Sequence, residues 1–231
     1  MREILPSLEM KFDAVVTDPP YNETSLDWDV WPDGWPALLA PLTNSLWCFG
    51  SLRMFWDRRD EFAEWKLAQD IVWEKHNGSG SAADRFRRVH EMAIHVYRGE
   101  WSGIYHVAPI VQGSPKLYKR CTKPAHWAGI GAQIAEVRTD RIQRSVIFVR
   151  SCHGSAVNET QKPEGIVAPL LEYSVPPGGS VLDCFAGSGT VLVAARRQGK
   201  RAVGIEMRES QCAEIVKRLA QQELFSGTTH S

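Results

Sequence analysis

The sequence predicts an α/β fold with a mostly parallel sheet, helices on both faces of the sheet and one small insertion. Short apolar runs typical of buried strands alternate with helical patterns at both ends of the chain. Between residues 99 and 157, glycines, prolines and basic residues are scattered among short apolar runs, which is typical of an insertion. We therefore expect residues 1–98 and 158–231 to form two halves of one domain.

Six apolar runs predict the strands, and helices are expected after the last two of them. The runs span residues 12–17, 45–50, 71–74, 92–97, 181–184 and 202–205. Residues 190–198 are good helix formers, and Gly199 stands where a helix C-cap is expected. Apolar residues at helical spacing predict a further amphipathic helix at 209–221.

The composition indicates an ordinary globular protein, with 231 residues of which 43% are hydrophobic and 23% charged. Met1 is followed by charged residues, and no apolar run reaches about 18 residues, so we expect a cytoplasmic protein without a membrane span. The five cysteines are far apart, and His90-Glu91-x-x-x-His95 is one residue too long for a zinc-binding helix motif. Neither a disulfide framework nor a metal site is predicted.

The formal net charge of zero hides a strong segregation of charge along the chain. Residues 1–74 contain 6 basic and 14 acidic residues, residues 75–150 contain 13 and 5, and residues 151–231 contain 8 of each. A basic block of this size is typical of a segment that binds an anionic partner, with a solvated surface as the alternative. The neutrality of the whole chain therefore does not exclude nucleic acid.

A glycine turn, with the sequence CFAGSGT at 184–190, follows one apolar run and precedes a predicted helix. Gly187 and Gly189 lack a Cβ, so a ligand can approach the backbone closely. Glu206 follows the next run, where a carboxylate can accept hydrogen bonds from ribose hydroxyls. A dinucleotide would need a third glycine where Leu192 stands, so the turn favours S-adenosylmethionine.

The second motif is Asp18-Pro19-Pro20-Tyr21, directly after the first apolar run. Two prolines make this turn stiff and leave backbone carbonyls free as acceptors. A carboxylate, a carbonyl and an aromatic ring at the carboxyl edge of a sheet suit an exocyclic amino group on a planar base. Asp18 and the Pro19 carbonyl would each accept one N–H, and Tyr21 would stack on the ring. A plain strand-ending turn is the alternative.

Together these motifs resemble the β group of DNA amino-methyltransferases, in which the catalytic motif precedes the glycine turn. Further segments occur in the family's order and at similar spacing, namely WEKHNG at 73–78, HE at 90–91, TQKP at 160–163 and GIE at 204–206. The resemblance implies a Rossmann-like, S-adenosylmethionine-dependent methyltransferase fold and a double-stranded DNA substrate whose target base flips out of the helix. Asp18 at the first catalytic position implies transfer to N6 of adenine, with N4 of cytosine as the alternative.

The same resemblance implies which residues form the cofactor pocket. They are Asp183, Phe185, Ala186, Gly187, Ser188, Gly189, Thr190, Glu206, Thr160 and Lys162. Glu206 would hold the ribose, Lys162 would face the carboxylate of the methionine end, and Asp183 would meet its ammonium group or cap a turn. Relatives usually have a further strand and a Gly-Asp pair before the catalytic motif, whereas here only Met1 to Lys11 precede the strand that leads into the motif. One wall of the pocket is therefore expected to be absent or supplied elsewhere.

By the resemblance, residues 99–157 are the target-recognition region. This region and the loop before it contain the residues expected to bind DNA, which are Arg85, Arg87, Arg88, Lys116, Lys119, Arg120, Lys123, Arg138, Arg141 and Arg144. The acidic stretch with Trp28, Trp31 and Trp35 is expected to face away from phosphate and to cover the site or a partner surface. Analogy with relatives also suggests a homodimer and a restriction-modification role. A catalytically silent DNA-binding protein with the same fold is the alternative from another class.

Overall fold

The computed structural model describes residues 1–79, 83–121, 133–152 and 161–226. Within these ranges the strands are β1 (Ala14–Thr17), β2 (Ser45–Gly50), β3 (Lys66–Ser79), β4 (Arg88–Tyr97), β5 (Ile110–Cys121), β6 (Gln133–Ile142), β7 (Val146–Phe148), β8 (Ser180–Asp183) and β9 (Arg201–Gly204). The helices are α1 (Trp35–Leu38), α2 (Leu52–Asp57), α3 (Glu164–Ser174), α4 (Thr190–Arg197) and α5 (Glu209–Ser226).

Seven of these strands form one sheet, in the order β7-β3-β4-β2-β1-β8-β9. β1 is parallel to both β2 and β8, β8 is parallel to β9, and β3 is parallel to β7. β4 runs antiparallel to its neighbours β2 and β3. The prediction of a mostly parallel sheet is confirmed. The carboxyl ends of β1, β2, β3 and β8 and the start of β4 consequently lie at one edge of the sheet.

Each of the six apolar runs lies in or overlaps a strand, and both predicted helices are present as α4 and α5. The run at 71–74 is only the central part of β3, which continues from Lys66 to Ser79 because it pairs with β4 along that length. α5 likewise extends past the predicted end at residue 221. Among the described helices, none is both long enough and apolar enough to span a membrane.

The sheet buries side chains on both of its faces, because successive residues of a strand point to opposite sides. Ala14 and Val16 of β1 pack in a cluster with residues of α3 and α4. Val15 belongs to a second cluster, which contains the fully buried Trp35 of α1 and Met54 of α2. The expectation of helices on both faces is therefore confirmed.

Residues 108–144 form a compact unit of their own, which contains the antiparallel hairpin of β5 and β6. The predicted insertion at 99–157 is wider than this unit. Trp101–Gly103 forms a 3₁₀ turn in the larger unit, and β7 pairs with β3 through Val72 and Val146. The predicted bounds of the insertion rest on amino-acid composition, whereas the compact unit at 108–144 is defined by the contacts within the hairpin. The role of the unit in target recognition stays a prediction.

The packing of β8 generates a stability prediction. Leu182 has no exposed surface and lies in the second core cluster, so Leu182→Ala is expected to lower the free energy of unfolding by about 2–5 kcal/mol. Urea unfolding followed by tryptophan fluorescence measures this change. The matched control is Leu67→Ala in β3, where the side chain is 68% exposed and the expected change is within about 0.5 kcal/mol. Equal losses in the two variants would contradict the described packing.

Candidate active site

Two cavities that share Asp18 lie at the carboxyl edge of the sheet. The larger, of about 550 Å³, is lined by the segment after β8, and the smaller, of about 430 Å³, is lined by the segment after β1. Both contain in their walls Asp18, Pro20, Trp28, Gln161 and Lys162. Since β1 and β8 are adjacent and parallel, their carboxyl ends bring the two cavities together.

The larger cavity is built on the glycine turn between β8 and α4. Gly187 and Gly189 have φ values of 50° and 75°, in the left-handed region that favours glycine. A Cβ on Gly189 would also lie 2.8 Å from a side-chain carbon of Ile215. The carboxylate of Glu206 accepts hydrogen bonds from the backbone N–H of Gly187 at 2.8 Å and of Arg208 at 2.9 Å. These bonds hold the carboxylate and the turn together at the cavity wall.

Asp183 ends β8 as a buried carboxyl group in the wall of the same cavity. Its Oδ1 accepts hydrogen bonds from the Thr17 hydroxyl at 2.7 Å and from the backbone N–H of Phe185 at 3.2 Å. Burial raises the pKa of Asp183 to about 7, against the opposing effect of these hydrogen bonds. Asp183 therefore caps the turn, which is one of the two roles expected for it. It also presents a titratable group to the cavity.

The predicted cofactor residues are largely brought together at the larger cavity. Its wall contains Asp183, Phe185, Ala186, Gly187, Ser188, Thr190, Glu206 and Lys162. Gly189 does not line the cavity but adopts the conformation that the turn needs. Thr160 lies outside the described residues.

The catalytic motif lines the smaller cavity with all four of its residues, Asp18, Pro19, Pro20 and Tyr21. The Tyr21 hydroxyl donates to Oδ1 of Asp18 at 2.5 Å. Burial raises the pKa of Tyr21 well above 10, and the neighbouring Asp18 raises it further, so the phenol keeps the proton that it donates. The motif is thus more than a strand-ending turn, because its carboxylate and phenol are oriented towards one another inside a cavity.

The loop after Tyr21 is fixed by a single carboxylate, Asp29. Asn22, which has a left-handed φ of 58°, donates its backbone N–H to Asp29 at 2.9 Å, as Glu23 does at 2.9 Å and Thr24 at 2.7 Å. Burial alone would raise the pKa of Asp29, but these bonds and the Thr24 hydroxyl hold it below its ordinary value. Sequence reasoning missed this anchor, because an aspartate seven residues from its partner carries no local signal.

Lys162 binds two carboxylates in the structure. Its Nζ lies 2.5 Å from Oδ2 of Asp18 and 3.2 Å from Oε2 of Glu91, while Lys75 forms an ion pair with Oε1 of the same glutamate. Burial disfavours the ammonium, but the two carboxylates raise the pKa of Lys162 to about 12. Burial raises the pKa of Asp18, and the Lys162 ammonium opposes that rise. The family resemblance implies that Lys162 faces a cofactor carboxylate, whereas in the structure it pairs with Asp18 and with Glu91, which had no predicted role.

The tryptophan-rich stretch lines the larger cavity with Trp28, Val30 and Trp31. Trp28 lines both cavities, and the Arg208 guanidinium lies 5.5 Å from its ring centroid. Trp35 is fully buried and packs edge-on against Phe185, with ring centroids 5.3 Å apart. The larger cavity thus has a wall from this stretch, and Met1 and Arg2 of the segment before β1 line it as well. The tryptophans that follow the catalytic motif in the sequence are the signal from which this cavity wall could have been predicted.

The basic residues expected to bind DNA occupy two places. Arg85, which bonds Asp84, and Arg87 lie in the loop before β4. Arg88 is the first residue of β4 and pairs with Glu23 at 3.3 Å in the wall of the smaller cavity. In the 108–144 unit, β5 and β6 carry the other basic residues, which are Lys116, Lys119, Arg120, Arg138 and Arg141, with Arg144 at the unit's end. Lys123 lies outside the described residues.

The HExxxH segment lies on β4, as its apolar run predicted. His95 is fully buried, stacks on Trp47 at 4.6 Å between ring centroids and bonds the Ser45 hydroxyl at 2.9 Å. Glu91, the acidic residue of the HExxxH segment, lies instead beside Lys162 and Lys75, near Asp18. Because residues 90 and 95 are an odd number apart on a strand, they point to opposite faces.

Solved DNA methyltransferases have the same fold as this chain. The M1.HpyAVI complex with SAM matches at a TM-score of 0.65 and 22% identity, over 94% of this chain and 95% of that one. The PvuII DNA methyltransferase, which is cytosine-N4-specific, matches at 0.63 and 16% identity, over 94% of this chain and 82% of that one. The predicted Rossmann-like methyltransferase fold is confirmed.

Sequence comparison agrees with the fold. The type II methyltransferase M.XycI of Xanthomonas campestris pv. cyanopsidis is 29% identical over 159 residues, which are 68% of this chain. The alignment spans 46% of that relative's own length. The model of the N6/N4 DNA methylase family matches residues 12–217, a range that contains both the Asp18–Tyr21 motif and the glycine turn. The chain belongs to the N6/N4 family of DNA methylases.

Proposed function

We propose that the protein is a site-specific DNA methyltransferase, which transfers a methyl group from S-adenosylmethionine to N6 of an adenine flipped out of double-stranded DNA. The observation that carries this proposal is the position of Asp18 in the wall common to both cavities. A methyl donor in the larger cavity and a base in the smaller one would meet at this carboxylate. Membership of the N6/N4 DNA methylase family supports the reaction class.

The donor set of the larger cavity fits S-adenosylmethionine. Glu206 accepts two backbone N–H groups and keeps further lone pairs for ribose hydroxyls, since a carboxylate offers about four acceptor positions. Asp183 offers a carboxylate to an ammonium group, and Phe185 and Trp28 offer aromatic surface to an adenine ring. When bound, S-adenosylmethionine supplies an electrophilic methyl group, whose C–S bond breaks as the bond to nitrogen forms.

The smaller cavity fits a planar base. Tyr21, Trp28 and Trp73 line it, and stacking there would offset part of the cost of unstacking a flipped base, which is about a few kcal/mol. Asp18 and the Pro19 carbonyl would each accept one N–H of the amino group, which localises the lone pair on nitrogen. An Asp18 carboxylate would stabilise the positive charge that develops there, and the nitrogen would then lose its proton to solvent.

Adenine is favoured as the target because Asp18 occupies the first position of the catalytic motif, which in the family mostly accompanies adenine. Cytosine-N4 transfer uses the same machinery and is the second candidate, supported by the likeness to the PvuII enzyme.

The exposed basic residues of the 108–144 unit, Lys116 and Arg141 among them, support a phosphate-binding role for that unit. A homodimer and a companion restriction enzyme stay expectations.

Mapping of modified bases tests the proposal. Expressed in methylation-free cells, the protein is expected to leave N6-methyladenine at one recurring DNA sequence. Asp18→Ala is expected to abolish this modification, because it removes the acceptor for the amino group, while S-adenosylmethionine still binds. The control Asp60→Ala changes a side chain that is 92% exposed and should modify DNA like the wild type. Unmodified DNA, or normal activity of Asp18→Ala, would overturn the proposal, and N4-methylcytosine would correct the target base.

The raised pKa of Asp183 predicts a pH-dependent effect on cofactor affinity. Above pH 7 the carboxylate is ionised and can bind the cofactor ammonium, so Asp183→Asn should weaken binding about 10- to 100-fold at pH 8. Below pH 6 the wild-type group is itself neutral, and the difference should largely vanish. Calorimetric titration with S-adenosylmethionine at both pH values measures this. A difference that is independent of pH would assign Asp183 only its capping role.

The basic hairpin predicts salt-dependent DNA binding. The logarithm of the association constant should fall linearly with the logarithm of the salt concentration, because bound phosphates release counterions. Lys116→Ala should reduce the slope by about 1 if Lys116 contacts a phosphate. Lys217→Ala in α5, an equally exposed lysine of the other unit, is the control and should leave the slope unchanged. A flat plot for the wild-type protein would exclude the electrostatic interface.

A further inference from the structure

A row of alternating charges extends from Asp18 along the wall of the smaller cavity. It consists of Asp18, Lys162, Glu91 and Lys75, joined by three ion pairs. The side chains are only 25%, 10%, 16% and 16% exposed, respectively, so each charge depends on its neighbours rather than on water. Two negative and two positive groups leave the row without net charge.

The fold places Glu91 in this row. β4 runs antiparallel to β2 and β3, so its beginning reaches the edge at which β1 and β8 end. Glu91 pairs with Trp73 of β3, and Lys75 stands two residues further along β3 on the same side, with its Nζ 4.7 Å from the Trp73 ring centroid. Strand pairing, rather than a mobile loop, therefore holds the second carboxylate beside Lys162.

The Asp18 carboxylate already has a partner on each oxygen. The Tyr21 hydroxyl bonds Oδ1 and the Lys162 ammonium bonds Oδ2. A substrate amino group that takes the position of the ammonium on Oδ2 displaces Lys162 from Asp18. If Asp18 were the only carboxylate available, this displacement would leave a buried positive charge unpaired, which is strongly unfavourable.

We propose that Glu91 is a positioning residue, which receives the Lys162 ammonium when the amino group of the target base takes its place on Asp18. Oε2 of Glu91 is already 3.2 Å from Nζ, so a small movement of the lysine completes the exchange. Lys162 keeps its proton in both positions, and no charge is left unpaired. This inference rests on the proposed methyl transfer to an amino group.

The direct test is Glu91→Gln, which keeps the shape of the side chain and removes its charge. Single-turnover methyl transfer to duplex DNA is expected to slow roughly 100-fold, because displacing Lys162 from Asp18 then lacks a charged acceptor. Affinity for S-adenosylmethionine should stay within about twofold, since Glu91 does not line the larger cavity. The matched control is Glu74→Gln, an exposed glutamate on β3, which should react at the wild-type rate.

The pH dependence of the rate separates this role from a merely structural one. Asp18 is influenced by Lys162, Glu91, Tyr21, Asp183 and Cys48, and the variant changes Glu91 alone. Without Glu91, Lys162 binds Asp18 exclusively and lowers the pKa of that carboxyl. The acid limb of the rate profile should therefore move to lower pH. A slower rate with an unmoved acid limb would overturn the inference in favour of a structural role.

A second variant covers the case in which Glu91→Gln does not fold because of its excess positive charge. The double variant Lys75→Met, Glu91→Gln restores neutrality and leaves the Asp18–Lys162 pair in place, so it should fold and show the same slow transfer. A wild-type rate in either folded variant would overturn the inference. Inactivity of the unmodified protein would instead overturn the proposed function.

Discussion

The parallel pairing of β1 with β8 is the constraint on which the active-site edge depends. Ala14 pairs with Val181 and Val15 with Leu182, so both strands end at the same level. The Thr17 hydroxyl then reaches Asp183 across the pair at 2.7 Å. Both strands are buried on both faces, and a slip by one residue would turn every core side chain to the wrong side. The core therefore sets the alignment of the two motifs.

An edge built this way gathers carboxyl groups that would repel one another, and the structure accommodates each in a different manner. Asp18 and Glu91 share the ammonium of Lys162. Glu206 accepts two backbone N–H groups and pairs with the Arg208 guanidinium at 3.3 Å. Asp183 has a pKa of about 7 and is partly protonated at neutral pH. A shared ammonium, backbone N–H donors and partial protonation thus offset the repulsion that Asp18 receives from Glu91 and that Asp183 receives from Asp18 and Glu206.

Sequence reasoning predicted the features whose information is local. Apolar runs predicted six of the nine described strands, all except β5, β6 and β7, and the glycine turn and the Asp18–Tyr21 motif line two cavities. The place of Glu91 depends on β4 running antiparallel, and the place of Trp28 on an irregular loop held by Asp29, so neither leaves a periodic pattern in the sequence. The compact unit at 108–144 is narrower than the predicted insertion at 99–157 for a similar reason, since β7 pairs with β3 and composition does not record such pairing.

The hairpin of β5 and β6 satisfies its own backbone. Its strands pair with each other from Ile110–Ile142 to Cys121–Gln133, and within the described residues neither joins the seven-stranded sheet. Changes of sequence or length within this unit are therefore expected to leave the backbone pairing of the seven-stranded sheet unchanged. The hairpin can then vary independently of the strand pairing that presents Asp18 and Glu91 at the sheet edge.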